Sequence, residues 1–164
     1  MQQFSLMQQQ FALLKQQLSQ INKNIKNIKI NTKNNQKFKF PDGIYIGQAV
    51  NGVAEGKGIW YGDSGDRYEG DYRDNKQEGK GIYYYNNGDR YEGDFRKGKF
   101  EGKGIYYYNN GNRYEGDFRN SKREGKGIYY WNNGDREMGD FYNDVRIGKH
   151  AVLTKNGEVK TNNY

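Results

Sequence analysis

From Tyr45 onward the chain repeats itself every 23 residues. The clearest copies are YEGDYRDNKQEGKGIYYYNNGDR (68–90), YEGDFRKGKFEGKGIYYYNNGNR (91–113) and YEGDFRNSKREGKGIYYWNNGDR (114–136). A period of this size marks stacked supersecondary units, none of which can bury an apolar face until its neighbour is in place. Weaker copies flank these three at 45–67 and 137–160. The chain therefore divides into an array of about five units over residues 42–164 and a head and linker over residues 1–41 that lie outside this period.

Each unit reads as one β-hairpin. Tyr68-Glu69-Gly70-Asp71-Tyr72 alternates ring, acid, glycine, acid, ring, so a strand puts Tyr68, Gly70 and Tyr72 on one face and both acids on the other. Gly81-Ile82-Tyr83-Tyr84-Tyr85 is rich in strand-favouring residues. Asn86-Asn87-Gly88-Asp89 predicts a tight turn in which both central positions take φ > 0. The segment from Arg73 to Lys80 varies between copies and reads as a polar loop. Only 33% of residues are hydrophobic while 16% are aromatic, so the buried area must come from rings, each worth about 150–250 Å². Glycines at 70, 93, 116 and at 81, 104, 127 let rings lie across bare backbone. Tyr68, Tyr91 and Tyr114 then form one ladder, and Tyr72, Phe95 and Phe118 a second.

The pattern YEGDF–(7)–GKGIYYYNNG resembles the MORN repeat (membrane occupation and recognition nexus). The likeness covers residues 45–160. It weakens in the first copy, where Ala49 replaces the first-strand aromatic, and in the last, where Glu137-Met138 replace Tyr-Glu and His150 replaces a glycine. The resemblance implies a mostly β fold: a single-layer twisted antiparallel sheet of about five hairpins. Ala49, Val50, Val53 and Ala54 leave room at the N-terminal end for the head or a partner.

The net charge of +7 sits in the head. Residues 1–41 contain seven lysines and no acid, which leaves 20 basic against 20 acidic residues in the array. Phe4, Met7, Phe11, Leu14, Leu18, Ile21, Ile25 and Ile28 alternate spacings of three and four. That seam predicts an amphipathic, coiled-coil-like α-helix over residues 3–30, roughly 40 Å long. It suits a partner helix or the chain's own sheet. With Lys15, Lys23, Lys26 and Lys29 it also suits an anionic lipid surface.

Candidate chemistry is sparse. His150 is the sole histidine and stands apart from other metal-ligating residues, as a surface or cap residue. The acids recur in every copy together with Arg73, Arg90, Arg96, Arg113, Arg119 and Arg136, which predicts cross-strand ion pairs. The GKG triplets lack the following Ser or Thr and helix of a phosphate loop. No catalytic residue, metal site or cofactor is expected, and the array reaches the end of the sequence without room for a catalytic domain. There is no cysteine, which fits a reducing compartment. The start of the chain lacks the features of a secretory signal. It is acid-free and amphipathic, so a mitochondrial address stays open beside the cytoplasmic one.

The tyrosines have a second use as a groove for an extended or helical peptide. The face formed by Tyr68, Tyr72, Tyr83, Tyr91, Phe95, Tyr106, Tyr114, Phe118 and Tyr129 is the expected contact surface. Acids beside the rings argue against nucleic acid. The resemblance implies a non-catalytic scaffold or adaptor within a larger complex, in the cilium, axoneme or other cytoskeleton. The alternatives are a tether to anionic membranes through the head and an accessory subunit of an enzyme.

Overall fold

The computed structural model describes residues 15–17, Ser19 and 35–164. Residues 15–17 and Ser19, which include Lys15, are helical and exposed. The rest of the expected head helix lies outside the described residues, including the seam Phe11, Leu14, Leu18, Ile21, Ile25 and Ile28 and the lysines Lys23, Lys26 and Lys29.

The array forms one unit from Gln36 to Tyr164. Its strands are β1 (Asn35–Phe40), β2 (Gly43–Val50), β3 (Val53–Gly62), β4 (Arg67–Arg73), β5 (Lys76–Tyr84) and β6 (Arg90–Arg96). They continue as β7 (Lys99–Tyr107), β8 (Arg113–Arg119), β9 (Lys122–Tyr130), β10 (Arg136–Tyr142), β11 (Val145–Leu153) and β12 (Val159–Asn163). All twelve join in sequence order into one open antiparallel sheet. The sheet begins before Pro41, because residues 35–40 form a strand where a linker was expected. Phe38 and Phe40 of β1 bring their rings to 5.0 and 5.6 Å from Tyr45. Strand β1 therefore covers part of the N-terminal end that the small residues near Ala49 left open.

The two kinds of link exchange the roles read from the sequence. The segment 73–80 is mostly strand, and only Asp74 and Asn75 turn, with φ of 50° and 62°. The equivalent pairs 51–52, 97–98, 120–121 and 143–144 also have φ > 0 at both positions. Two-residue links of this kind match the strands' right-handed twist. In the Asn-Asn-Gly link only Gly88 has positive φ, at 90°, and its N–H donates to the Tyr85 carbonyl at 3.1 Å. That link is a wider turn closed by a left-handed glycine.

The core is the ring face. Tyr45, Tyr68, Tyr91 and Tyr114 are fully buried, and Tyr72, Phe95, Phe118 and Phe141 nearly so. Each tyrosine lies over two glycines. A Cβ on Gly93 or Gly104 would come within 2.5 Å of the Tyr91 ring or hydroxyl. The hydroxyl then donates to the Asp94 carbonyl at 2.9 Å, and Tyr68 and Tyr114 repeat the bond on Asp71 and Asp117. The two expected ladders are a single zigzag. Tyr68 meets Tyr72 at 5.2 Å and Phe95 of the next repeat at 4.8 Å, and Tyr91 meets Phe95 at 5.2 Å and Phe118 at 5.0 Å, all edge to face. Such contacts contribute about 0.5–1.5 kcal/mol each beyond their buried area. The zigzag explains how a single layer holds a core without a second sheet.

Candidate functional site

Cross-strand partners share a face, so the register sorts every side chain. Tyr83 pairs with Tyr68 and Tyr91, and Tyr106 with Tyr91 and Tyr114, which places them on the core face. Two residues further along come Tyr85 and Tyr108. With Trp60, Tyr129 and Trp131 these residues make an unbroken second row. Successive centroids from Trp60 through Tyr83, Tyr85, Tyr106, Tyr108 and Tyr129 to Trp131 are 6.2, 4.7, 5.9, 4.8, 5.7 and 5.1 Å apart. Tyr83, Tyr85, Tyr106, Tyr108, Tyr129 and Trp131 are all half-buried.

The row is held by carboxylates and amides from the wide turns. Tyr83 donates to Asp66 at 3.0 Å and Tyr106 to Asp89 at 2.9 Å, while Asn112 donates to the Tyr129 hydroxyl at 3.0 Å. The other oxygen of Asp66 and of Asp89, and the amide oxygen of Asn112, accept the backbone N–H of Asn86, Asn109 and Asn132 in the next turn. Burial, followed by the bonded carboxylate, pushes the Tyr83 and Tyr106 hydroxyls well above the ordinary tyrosine pKa. The row is thus a preordered aromatic rail with one open side.

Of the nine residues expected to meet a partner, Tyr68, Tyr72, Tyr91, Phe95, Tyr114 and Phe118 are the buried core. Their rings are consumed by the glycines and by one another. Tyr83, Tyr106 and Tyr129 stand in the rail and keep open area. The sequence reading missed Trp60, Tyr85, Tyr108 and Trp131. Carrying the two-residue alternation one step past Tyr83 finds Tyr85, and the repeat then supplies the others.

The opposite face carries charge. Lys57, Lys80 and Lys103 of the GKG triplets pair with Asp71, Asp94 and Asp117 of the adjacent strand at 2.7, 2.6 and 2.6 Å. The recurring aspartates are therefore met across the strands by lysine, not arginine. Exposed pairs of this kind contribute about 0–1 kcal/mol. Arg67, Arg90 and Arg113 instead lie over Tyr84, Tyr107 and Tyr130, at 5.0, 4.2 and 3.9 Å from the ring centroids.

Residues 45–67, 68–90, 91–113 and 114–136 each match the MORN repeat family. The chain belongs to the MORN-repeat family. MORN repeats are non-catalytic and serve in general as modules for protein or membrane interaction. No curated protein matches the chain. Among solved structures, the SAS-4 (dCPAP) TCP domain of Drosophila melanogaster, in complex with a proline-rich motif of Ana2 (dSTIL), is similar at 17% identity. The match covers 78% of this chain and 83% of that one, with a TM-score of 0.41.

A core-face position beside the two-residue turn varies from hairpin to hairpin. It is Ala54, Gln77, Phe100, Arg123 and Arg146 in successive hairpins. Phe100 stacks on Tyr91 at 3.7 Å. The Arg123 guanidinium lies 5.6 Å from the Tyr114 ring and 5.3 Å from Phe141, and its Nε donates to Asp144 at 3.2 Å. Arg146 lies 5.2 Å from Tyr129 and 5.9 Å from Phe141, and its Nε donates to Glu137 at 2.9 Å.

The fifth hairpin, β10–β11, inverts the MORN interlock. Glu137 stands where a tyrosine is expected and His150 where a glycine is, and both are fully buried. The imidazole comes from the opposite strand to cover Gly139, and its Nε2 lies 2.9 Å from the Asp140 carbonyl, the bond a tyrosine hydroxyl makes in earlier repeats. Nδ1 is 3.2 Å from Glu137 Oε1, an ion-pair distance without hydrogen-bond alignment. His150 is therefore an interior structural residue of the last repeat, not a surface one. Among the described residues no group of three or more His, Asp or Glu side chains could hold a metal ion.

Proposed function

We propose that this MORN array is a non-catalytic adaptor that holds a partner polypeptide along the rail from Trp60 to Trp131. One observation carries this reading: the rail is a continuous run of rings, half-buried from Tyr83 onward, in which the Tyr83, Tyr106 and Tyr129 hydroxyls are fixed in advance by Asp66, Asp89 and Asn112. Ordered tyrosines give contact area at low entropic cost and are favoured at binding hot spots. The complex served is cytoskeletal, ciliary or axonemal in the reading taken from the resemblance. The head is a second attachment point.

Partner recovery from source cells tests the rail. The tagged chain and a Tyr85→Ser/Tyr108→Ser variant are compared by crosslinking and mass spectrometry, with circular dichroism to confirm folding. Loss of the wild-type partners in a folded variant is the expected result, and an unchanged partner set refutes the rail. Detergent extraction tests the setting: retention in the insoluble cytoskeleton is expected, and release with the soluble fraction counts against it. Salt-sensitive binding to anionic vesicles that disappears on deleting residues 1–41 would favour the membrane tether instead.

A further inference from the structure

The repeats are copies, so one repeat shows what another lacks. Arg146 and Gln77 occupy the same place three periods of 23 residues apart. By the same shift, Tyr129 corresponds to Trp60 and Phe141 to Tyr72. In the fifth hairpin the Arg146 guanidinium lies against Tyr129 and Phe141. In the second the shorter Gln77 leaves an open cleft of about 470 Å³, walled by Gln77, Trp60, Tyr83, Phe40 and Asp42.

Two features mark this cleft as unfinished. Tyr72, the cross-strand partner of Gln77, is 3% exposed and its hydroxyl has no hydrogen-bond partner, whereas the three later hairpins place phenylalanine there and the first alanine. Burial pushes its pKa up, and after Tyr68 and Tyr45 the charges that reinforce the shift come from Asp42 and Tyr83, two walls of the cleft. The second feature is the Asp42 carboxylate, exposed at the rim and paired with no cation among the described residues. In the fourth and fifth hairpins the chain's own guanidinium has both rings and a carboxylate, from Asp144 or Glu137. The second hairpin has the rings and the carboxylate without the guanidinium.

We infer that this cleft receives the guanidinium of an arginine on the partner polypeptide, against Trp60, with Asp42 as counter-charge. This deepens the adaptor reading and rests on it. A guanidinium is planar, always charged and weakly hydrated, so it suits an aromatic wall with a carboxylate at its edge. The site fixes the register of a bound chain on a rail whose repeats are otherwise alike.

The test uses the full chain and the peptide acetyl-Gly-Arg-Gly-amide, with its citrulline counterpart as a neutral isostere. Proton–nitrogen NMR resolves the two tryptophan indoles. The arginine peptide is expected to shift the Trp60 resonance saturably and leave Trp131 in place, with citrulline at least about tenfold weaker. Asp42→Asn weakens arginine by about two- to fivefold. Gln77→Arg abolishes binding because the chain fills its own cleft, and it folds because arginine already stands at 123 and 146. Equal binding of citrulline, no shift at Trp60, or undiminished binding to Gln77→Arg overturns the proposal. If Asp42→Asn and Gln77→Arg keep every cellular partner that Tyr85→Ser/Tyr108→Ser loses, the rail stands and the cleft falls. If arginine binds as described but the rail variant keeps its partners, the cleft stands and the rail falls.

Discussion

A tyrosine lying flat across two glycines is an interlock, because neither side of it can change alone. Position 137 and position 150 show what happens when both sides change. The covering ring moves to the opposite strand as His150, and Glu137 fills the vacated place while accepting from Arg146 at 2.9 Å. Glu137→Tyr by itself drives a second ring into the space His150 already fills, which costs about 1–3 kcal/mol. His150→Gly by itself opens a cavity and leaves Glu137 without the imidazole, which costs about 2–4 kcal/mol. The double variant restores the arrangement of Tyr114 on Gly116 and Gly127. It is expected to return to within about 1 kcal/mol of the parent, a strong coupling in a denaturant-monitored mutant cycle. Additive losses would show that the two residues act separately. Tyr72 offers the opposite trade. Tyr72→Phe removes a buried hydroxyl with no partner and should stabilise the fold by about 1 kcal/mol. A lowered denaturation midpoint would show that the hydroxyl finds a partner in solution.

At the scale of the hairpin, stability resides in the ties between consecutive turns. Asn75 accepts the Ala54 N–H at 2.7 Å, Ser121 that of Phe100 at 3.1 Å and Asp144 that of Arg123 at 2.9 Å. Gly98 holds the same place in the third hairpin and has no side chain to do so. Its φ of 79° is one that asparagine tolerates, and the nearest obstacle to a Cβ is the flexible end of Gln77, at 3.0 Å. Gly98→Asn should therefore raise the denaturation midpoint, by about 0.5–1 kcal/mol in free energy. An unchanged or lowered midpoint would mean that the added bond does not form. The same turns show what the sequence could reveal. Period, alternation and ring-over-glycine packing were legible because each leaves a residue-type signature in every copy. The turn types were not, because Asp74-Asn75, Lys97-Gly98 and Asn120-Ser121 share a backbone shape without sharing residues. The partner face was half legible. Tyr68 and Tyr83 look alike in a pattern, and only the three-dimensional count of glycines per ring shows which one is spent on the core. Position 77 was hidden inside a segment read as loop, so its cleft was not legible at all.

Over the whole sheet, the rings form one continuous chain from Tyr45 to Tyr164, through Tyr72, Tyr68, Phe95, Tyr91, Phe118, Tyr114, Phe141 and His150. Such an array gains stability from each neighbour contact, so damage at one repeat weakens the next. Alkali tests this directly. Burial, the leading cause at every one of these sites, raises the hydroxyl pKa of Tyr45, Tyr68, Tyr72, Tyr83, Tyr85, Tyr91, Tyr106, Tyr108 and Tyr114. Tyr45 is pushed up to about 12 by burial and then by Glu55. In the unfolded chain the same hydroxyls ionise near pH 10. Above that pH the folded sheet keeps protons that the unfolded chain releases, so rising pH favours unfolding. The tyrosine contribution is fully present below about pH 10 and is lost as pH climbs through 10 toward 12 and beyond. Because several groups act together, the loss should be steep. Absorbance at about 295 nm, where tyrosinate absorbs, should rise for these residues in one cooperative step that coincides with loss of the far-ultraviolet dichroism of the sheet. A smooth rise centred near pH 10 with the dichroism intact would show that these rings are not sealed in a shared core.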